Sequence, residues 1–475
     1  MNHRKPRLHE QQPALLVLIL AALAHPASAQ TSDQKAWLAK ATRVDRAGWI
    51  ALHVEGTPEE RGFQHGFLVA REIGEAIRVR REVFRHQTGM EWPWLVDRVK
   101  AVFTPKVDAE NLAEMEGIAA SMKTAGVPTT RDEIVAYNAW FDIAYWWPKE
   151  KDKIGARAPD LPREGCSSFI ATGSATTDGK VVLGHNTWFG YTIADANVIL
   201  DLKPAKGHRI LMQVFPGWIH SGTDFFVTDA GLVGSETTIG DFTGFDEKGI
   251  PEFARMRRAT QDASSIDEWC QVMKRGNNGG YANAWLLGDV NTSEIARLEL
   301  GLRHVAFEKK KDGFFVGSNI AEDLKILRFE TTSNDTDIRD DAIARRVRWK
   351  QLMKANAGKI DAEKAKAFLG DGFDTYLGKE GPDSRSLCGR GDLDPRFEGG
   401  GIPFSPSGAF DAKVVDAAMA KGMTMSAHWG AACGPAFDAA AFVSAHPQFE
   451  WMTGLLKDRP RGPWTDFTAA GAAKP

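Results

Sequence analysis

What this chain can fold into is constrained most by a change of texture after Pro159. Before it, from about residue 36 to 153, apolar residues recur at helical spacing; after it come short β-type runs. Helices are expected over 59–81, 111–124 and 130–147. The last carries Tyr137, Trp140, Phe141 and Tyr145 three to four residues apart, the spacing of a core face. Strands are expected over 168–172, 181–184, 197–202, 209–215, 224–228, 285–289, 295–300 and 314–317. Further helices are expected over 251–273 and 337–355. Strands grouped between helices indicate α+β layers rather than alternating βαβ units. The 475 residues suffice for one large domain or two ordinary ones.

The first residues read as an address. Arg4, Lys5 and Arg7 precede an apolar stretch, PALLVLILAALA, too short to span a bilayer, and Ala27-Ser28-Ala29 offers a small-residue cleavage site. A signal peptide over 1–29 and export to the periplasm or outside the cell are expected, with no stable membrane span in the mature chain. The net charge of -3 gives no reason to expect nucleic acid. The 15 Trp fit either core packing or a cleft for apolar groups. Four cysteines occur, at 166, 270, 388 and 433. An exported protein can keep a disulfide, and Cys388 with Cys433, both in Gly-rich stretches, is the expected bridge. No CxxC or HExxH pattern appears, so neither metal nor cofactor is expected.

The chemistry concentrates in GCSSFIATGSATTDGKVVLGHNTWFGY, residues 165–191. Asp178-Gly179 is a hairpin signal. If 173–180 form the loop, Cys166 lies opposite Thr187, with His185 on its face one diagonal step away. A strict two-residue turn instead pairs Cys166 with Tyr191 and moves His185 away. An exposed, Pro- and charge-rich loop at 160–165 precedes the cysteine. A thiol at that junction can attack the carbonyl before it, unobstructed by a side chain at Gly165. An N→S shift and hydrolysis would free the α-amine of Cys166 to serve as base for its own thiol. Spacing alone favours a buried structural cysteine.

Five blocks, in order, resemble the phospholipase B-like family and, more distantly, the self-cleaving acyl-coenzyme A:6-aminopenicillanate acyltransferases. They are CSS with HNTW (Cys166, His185–Trp188), FPGWIHSGTDFFVTDAGLVGSETT (215–238), GYANAWLLGD (280–289), SLCGRGDL (386–393) and GAFDAKV (408–414). The resemblance implies an N-terminal-nucleophile hydrolase, an αββα sandwich preceded by a helical N-terminal segment. It implies cleavage between Gly165 and Cys166, leaving residues 30–165 associated with a catalytic chain, 166–475. Cys166 would be the nucleophile, His185 a site-lining histidine and Asn283 the oxyanion donor. Asn186, Trp188, Asp224 and Arg390 would be pocket positions, with Arg390 fixing a loop near the site. Ala282 and Ala284 depart from the family's Tyr-Asn-Asn-Gln-Trp run. The implied reaction is hydrolysis of a small acylated substrate, a non-peptide amide or a lipid ester, through a thioester. Acyl transfer to an amine would use the same residues; a non-enzymatic lipid- or carbohydrate-binding protein would need no chain break.

Overall fold

The computed structural model describes residues 30–161, 165–193, 197–396 and 402–471. The expected signal peptide, 1–29, lies outside them, as do residues 162–164 of the loop before the cysteine. Seventeen strands form among the described residues. In the first half they are β1 (Thr42–Arg46), β2 (Trp49–Gly56), β3 (Gly165–Gly173), β4 (Gly179–Gly190), β5 (Val198–Pro204), β6 (Ile210–Val214), β7 (Phe225–Thr228) and β8 (Leu232–Thr238). There follow β9 (Asn283–Asp289), β10 (Glu294–Leu300), β11 (Val305–Lys310), β12 (Gly313–Gly317), β13 (Phe373–Asp374), β14 (Lys379–Glu380), β15 (Ser407–Asp416), β16 (Thr424–Trp429) and β17 (Thr465–Thr468).

Two large sheets result. One has nine strands in the order β1-β2-β5-β6-β7-β8-β9-β10-β11, the other six in the order β12-β3-β4-β15-β16-β17. They meet face to face: Ser168 Oγ on β3 lies 2.6 Å from Ser235 Oγ on β8, and His185 Nε2 on β4 donates to the Glu236 carbonyl at 3.0 Å. Alternation along β3 sends the intervening side chains the other way. Ser167 accepts a 2.8 Å hydrogen bond from Trp349, and Phe169 packs 5.2 Å from the Trp349 ring and 5.9 Å from Phe368. Those rings belong to helices Asp341–Ala355 and Ala362–Leu369. On the far side, Trp269 of helix Ile266–Lys274 packs its ring 4.8 Å from Trp285 of β9 and 5.9 Å from Phe226 of β7. The layers therefore run α-β-β-α.

The N-terminal segment is mostly helical and carries two strands besides. Its helices are present, including Pro58–Leu68, Ala70–Thr88, Ala109–Thr124 and Trp140–Ile154. Thr57 and Thr130 start two of its helices with capping boxes, accepting from the backbone of Glu60 and Glu133. The segment also contributes β1 and β2, and β2 pairs in parallel with β5 over seven residue pairs, from Ile50↔Val198 to Gly56↔Pro204. Residues before the cysteine thus complete a sheet whose remaining strands come after it. Trp146, Trp147 and Trp218 are fully buried, so much of the tryptophan content is core. The Cys388–Cys433 disulfide is formed; Cys166 and Cys270 are free and buried. No helix among the described residues is long and apolar enough to cross a membrane.

Candidate active site around Cys166

The β3–β4 register puts Cys166 opposite Thr187 and Ser168 opposite His185. This is the long-loop alternative, and the pairing closes at Gly173↔Gly179 after a bulge that sets Thr172 against Lys180 and Val181 of β4. Cys166 is fully buried, whereas Gly165 beside it lines a cavity of about 970 Å³. Trp140, Trp188, Asn319, Arg345 and Trp451 also line that cavity. Trp188 is stacked under the Arg345 guanidinium, 4.3 Å away. Gly389, at φ +39°, leaves room for the same indole: a Cβ there would lie 1.3 Å from it.

Two side chains bracket the backbone of Cys166. Its N–H donates to Asn319 Oδ1 at 3.1 Å, and its carbonyl accepts from Arg345 Nη1 at 2.7 Å. Arg345 also donates to Asn319 Oδ1 at 2.9 Å, and Asn319 Nδ2 donates to the Thr238 carbonyl at 3.0 Å. The Asn319 amide sits so close to Gly165 that a Cβ on that glycine would lie 2.9 Å from Oδ1. A side chain before the cysteine would therefore have to displace the Asn319 amide from the bracket.

Below the thiol lies a buried polar cluster. Ligand atoms of Cys166, Asp224 and Glu236 all fall within 4.8 Å of one another. Tyr281 Oη lies 2.9 Å from both Asp224 Oδ2 and Glu236 Oε2. A phenol donates only one proton, so the second carboxyl needs a proton of its own to share that contact. Burial, then the charge of Asp224, pushes Glu236 well above the usual carboxylate range. Burial also raises Asp224, to about 6, against the pull of hydrogen bonds from Glu236 and Tyr281. Glu236 is accordingly the protonated member and Asp224 the one that titrates. Burial and these two acids together push the Cys166 thiol up. Asp224, Tyr281 and Asn319 all hold left-handed backbone, at φ 59°, 56° and 70°. Such conformations cost about 1–3 kcal/mol each in non-glycine residues and gather where geometry serves a site.

The other charges nearby are committed. Lys413 pairs with Asp411 at 2.8 Å and donates to Thr187, Gln213 and the Thr223 carbonyl. His185 uses Nε2 on the Glu236 carbonyl, so that nitrogen carries the proton; Nδ1 is buried without a hydrogen-bond partner. Burial holds the imidazole neutral. Asn283 opens β9 opposite Thr238, fully buried, with neither amide atom hydrogen-bonded.

Two expected pocket positions are corrected. Asn186 faces the helical layer and donates to the Leu369 and Leu387 carbonyls, both at 2.9 Å, because alternation on β4 turns it away from His185. Arg390 does not line the cavity. It pairs with Asp392 at 2.7 Å and donates to the carbonyls of Cys433 and Pro435, clamping the loop beside the disulfide. Asn319, Arg345, Glu236, Tyr281 and Lys413 had no assigned role in the sequence. Only Tyr281, Glu236 and Lys413 stood inside the resembling blocks.

The Phospholipase B family model matches residues 113–313. The chain is 25% identical over 350 residues to a putative phospholipase B-like 2 of Mus musculus, covering 62% of this chain and 55% of that protein. It is 24% identical over 276 residues to a phospholipase B of Crotalus adamanteus, covering 52% and 48%. An uncharacterized protein of Archaeoglobus fulgidus is 24% identical over 270 residues, with 53% and 44% covered. The chain thus spans about half the length of the curated relatives it matches. Among solved structures, a variant of conjugated bile acid hydrolase from Clostridium perfringens aligns with a TM-score of 0.35 at 10% identity, covering 55% of this chain and 88% of that one. Penicillin V acylase from Agrobacterium tumefaciens aligns with a TM-score of 0.31 at 10% identity, covering 56% and 83%.

Proposed function

We propose that this chain, a relative of the phospholipase B-like proteins, is an exported, self-processing hydrolase acting on a non-peptide amide or an acyl ester. It would cut itself between Gly165 and Cys166 and then work through a thioester on Cys166. The bracket around Cys166 is the observation that carries this reading. It fixes the backbone on both sides of the thiol and leaves Gly165, the residue whose carbonyl must be attacked, at the wall of a cavity.

Once the bond is cut, the nitrogen now held by Asn319 becomes an α-amine. Its reference pKa of about 7.7–8.0 suits a base for the adjacent thiol near neutrality. The bond to Asn319 would keep that amine beside the sulfur. Asn283, with an unpaired buried amide, is the proposed oxyanion donor, and the cavity is the proposed seat of a small acylated substrate. The segment before the cut would remain as a bound partner, since it supplies β1 and β2. The test is the intact mass and N-terminal sequence of the purified active protein. Two chains are expected, the larger beginning Cys-Ser-Ser-Phe; active protein consisting of one uncut chain would overturn the reading.

A further inference from the structure

An N-terminal amine cannot start its own release. In the uncut chain the nitrogen of Cys166 is an amide that donates to Asn319, so it has no lone pair to take the thiol proton. We propose that Asp224, seated with Glu236 and Tyr281 against the thiol, is the proton acceptor that starts cleavage of the intact chain. The inference rests on the Gly165–Cys166 processing reading and adds a catalytic role confined to the precursor.

The groups facing the thiol decide among the acceptors. From β15, Lys413 is pulled down by burial and back up by its ion pair with Asp411, and its nitrogen is already engaged by four oxygens, from Asp411, Thr187, Gln213 and the Thr223 carbonyl, rather than by the thiol. From β4, His185 donates through Nε2 to a carbonyl, and burial together with the Lys413 charge holds its imidazole well below the ordinary histidine range, which makes Nδ1 a weak proton acceptor. Tyr281, ahead of β9, is a phenol pushed up by burial and by the two acids. Glu252, on the helix Glu252–Asp262, is also pushed up, and its charge bears on Glu236. Glu236 keeps the pair's proton. The ionised Asp224 remains, with its carboxylate within 4.8 Å of the sulfur, a separation that one bridging water or a small side-chain rotation closes.

The step balances without another reagent. Asp224 takes the proton from Sγ, and the sulfur attacks the Gly165 carbonyl carbon. The C–S bond forms as the C–N bond to Cys166 breaks, and the proton on Asp224 passes to the departing nitrogen, which becomes the α-amine. Water then adds to the Gly165 thioester, the C–S bond breaks, the thiol is restored, and Gly165 leaves as a carboxylate with one proton released to solvent. From then on the amine stands beside the thiol and Asp224 is no longer required as acceptor.

The test follows chain cleavage after cell-free synthesis of the full chain, by denaturing electrophoresis between pH 5 and 8. Asp224→Asn is expected to slow cleavage by about 10²-fold or more, the scale of a lost general base. Hydroxylamine, which cuts thioesters, should not restore the break, because no thioester forms. Tyr281→Phe removes a hydrogen bond that lowers Asp224, so the acidic limb of the cleavage rate should move to higher pH. A folded Asp224→Asn chain that cleaves at the normal rate, or that hydroxylamine cuts, overturns the inference. If that variant does not fold, Tyr281→Phe decides alone, and an unmoved acidic limb overturns it. A wild-type chain that stays whole fails differently, because it removes the processing reading itself.

Discussion

Two buried ionic clusters sit in this molecule, and they are built on opposite terms. The first ties the N-terminal segment to the rest of the chain. Glu114 meets Arg61 at 2.6 Å and Arg257 at 3.1 Å, and Glu110 meets Arg61 at 2.9 Å and Arg258 at 2.6 Å. Burial would raise Glu114, but Arg257 and Arg61 outweigh it and hold the carboxylate low. The second, under Cys166, sets two acids beside one another, with Glu236 Oε1, His185 Nδ1 and both amide atoms of Asn283 lacking partners. A buried network with balanced charges holds parts together. One with orphaned groups and raised acids destabilises the fold locally, and such groups belong where a substrate or a moving proton will meet them.

The sharpest break in that comparison is Cys166→Ala. It should abolish the chain break completely, leaving one band on a denaturing gel, while a native near-ultraviolet spectrum is retained. Next comes Glu114→Ala, which strands Arg61 and Arg257 without their carboxylate. Removing one partner of a buried pair costs about 3–5 kcal/mol, and denaturant unfolding should show a loss of that size. Glu236→Gln should leave stability within about 1 kcal/mol or raise it, since it deletes a carboxyl that is already protonated and whose ionisation burial opposes. Equal losses in the two variants would erase the distinction between the clusters.

The sequence announced the two clusters unequally, and the reason is range. The layer class was legible because strands and helices have local periods. So was the pairing of Cys166 with Thr187, since a single hairpin connects β3 and β4, although Asp178-Gly179 alone could not choose between two registers. β2 was not legible: its short alternating run lies between helical stretches, and its partner β5 is more than 140 residues away (Ile50 pairs with Val198). Asn319 and Arg345 carry no local mark either. One follows a short strand and the other sits in a basic helix, and only the fold brings both to Cys166. Asn186 shows the converse error. It stands between His185 and Trp188 in a resembling block, yet strand alternation turns it toward the helices.

A smaller effect separates the orphaned groups from mere packing defects. Asn283→Ala, in protein that has already cleaved, should lower turnover by about 10²–10³, the scale of one lost oxyanion donor. Stability should change little, because the wild-type amide makes no hydrogen bond to lose. Unchanged turnover in the processed variant would assign the oxyanion to another group.

The smallest effect is one of sign. In the tying cluster, Glu110 is lowered to about 2 when folded: burial would raise it, but hydrogen bonds from Gln261 and Arg61 prevail. A carboxyl lowered on folding adds stability that is present above its unfolded value, about 4.3, and is lost as pH falls toward 2. Asp224 runs the other way. Its folded value of about 6 lies above the unfolded value near 3.9, so the folded protein binds the extra proton between them. The stability that Asp224 contributes is full below about pH 4 and is lost as pH rises through about 6. Unfolding free energies measured at pH 4 and pH 7 therefore separate the clusters. Relative to wild type, Asp224→Asn should gain stability at pH 7 over its value at pH 4. Glu110→Gln should lose least near pH 2–3, where the native ion pairs are already failing. If Asp224→Asn instead matched the wild-type pH dependence across that window, the acid pair would not be holding a proton on folding. The two clusters would then differ in partners but not in charge.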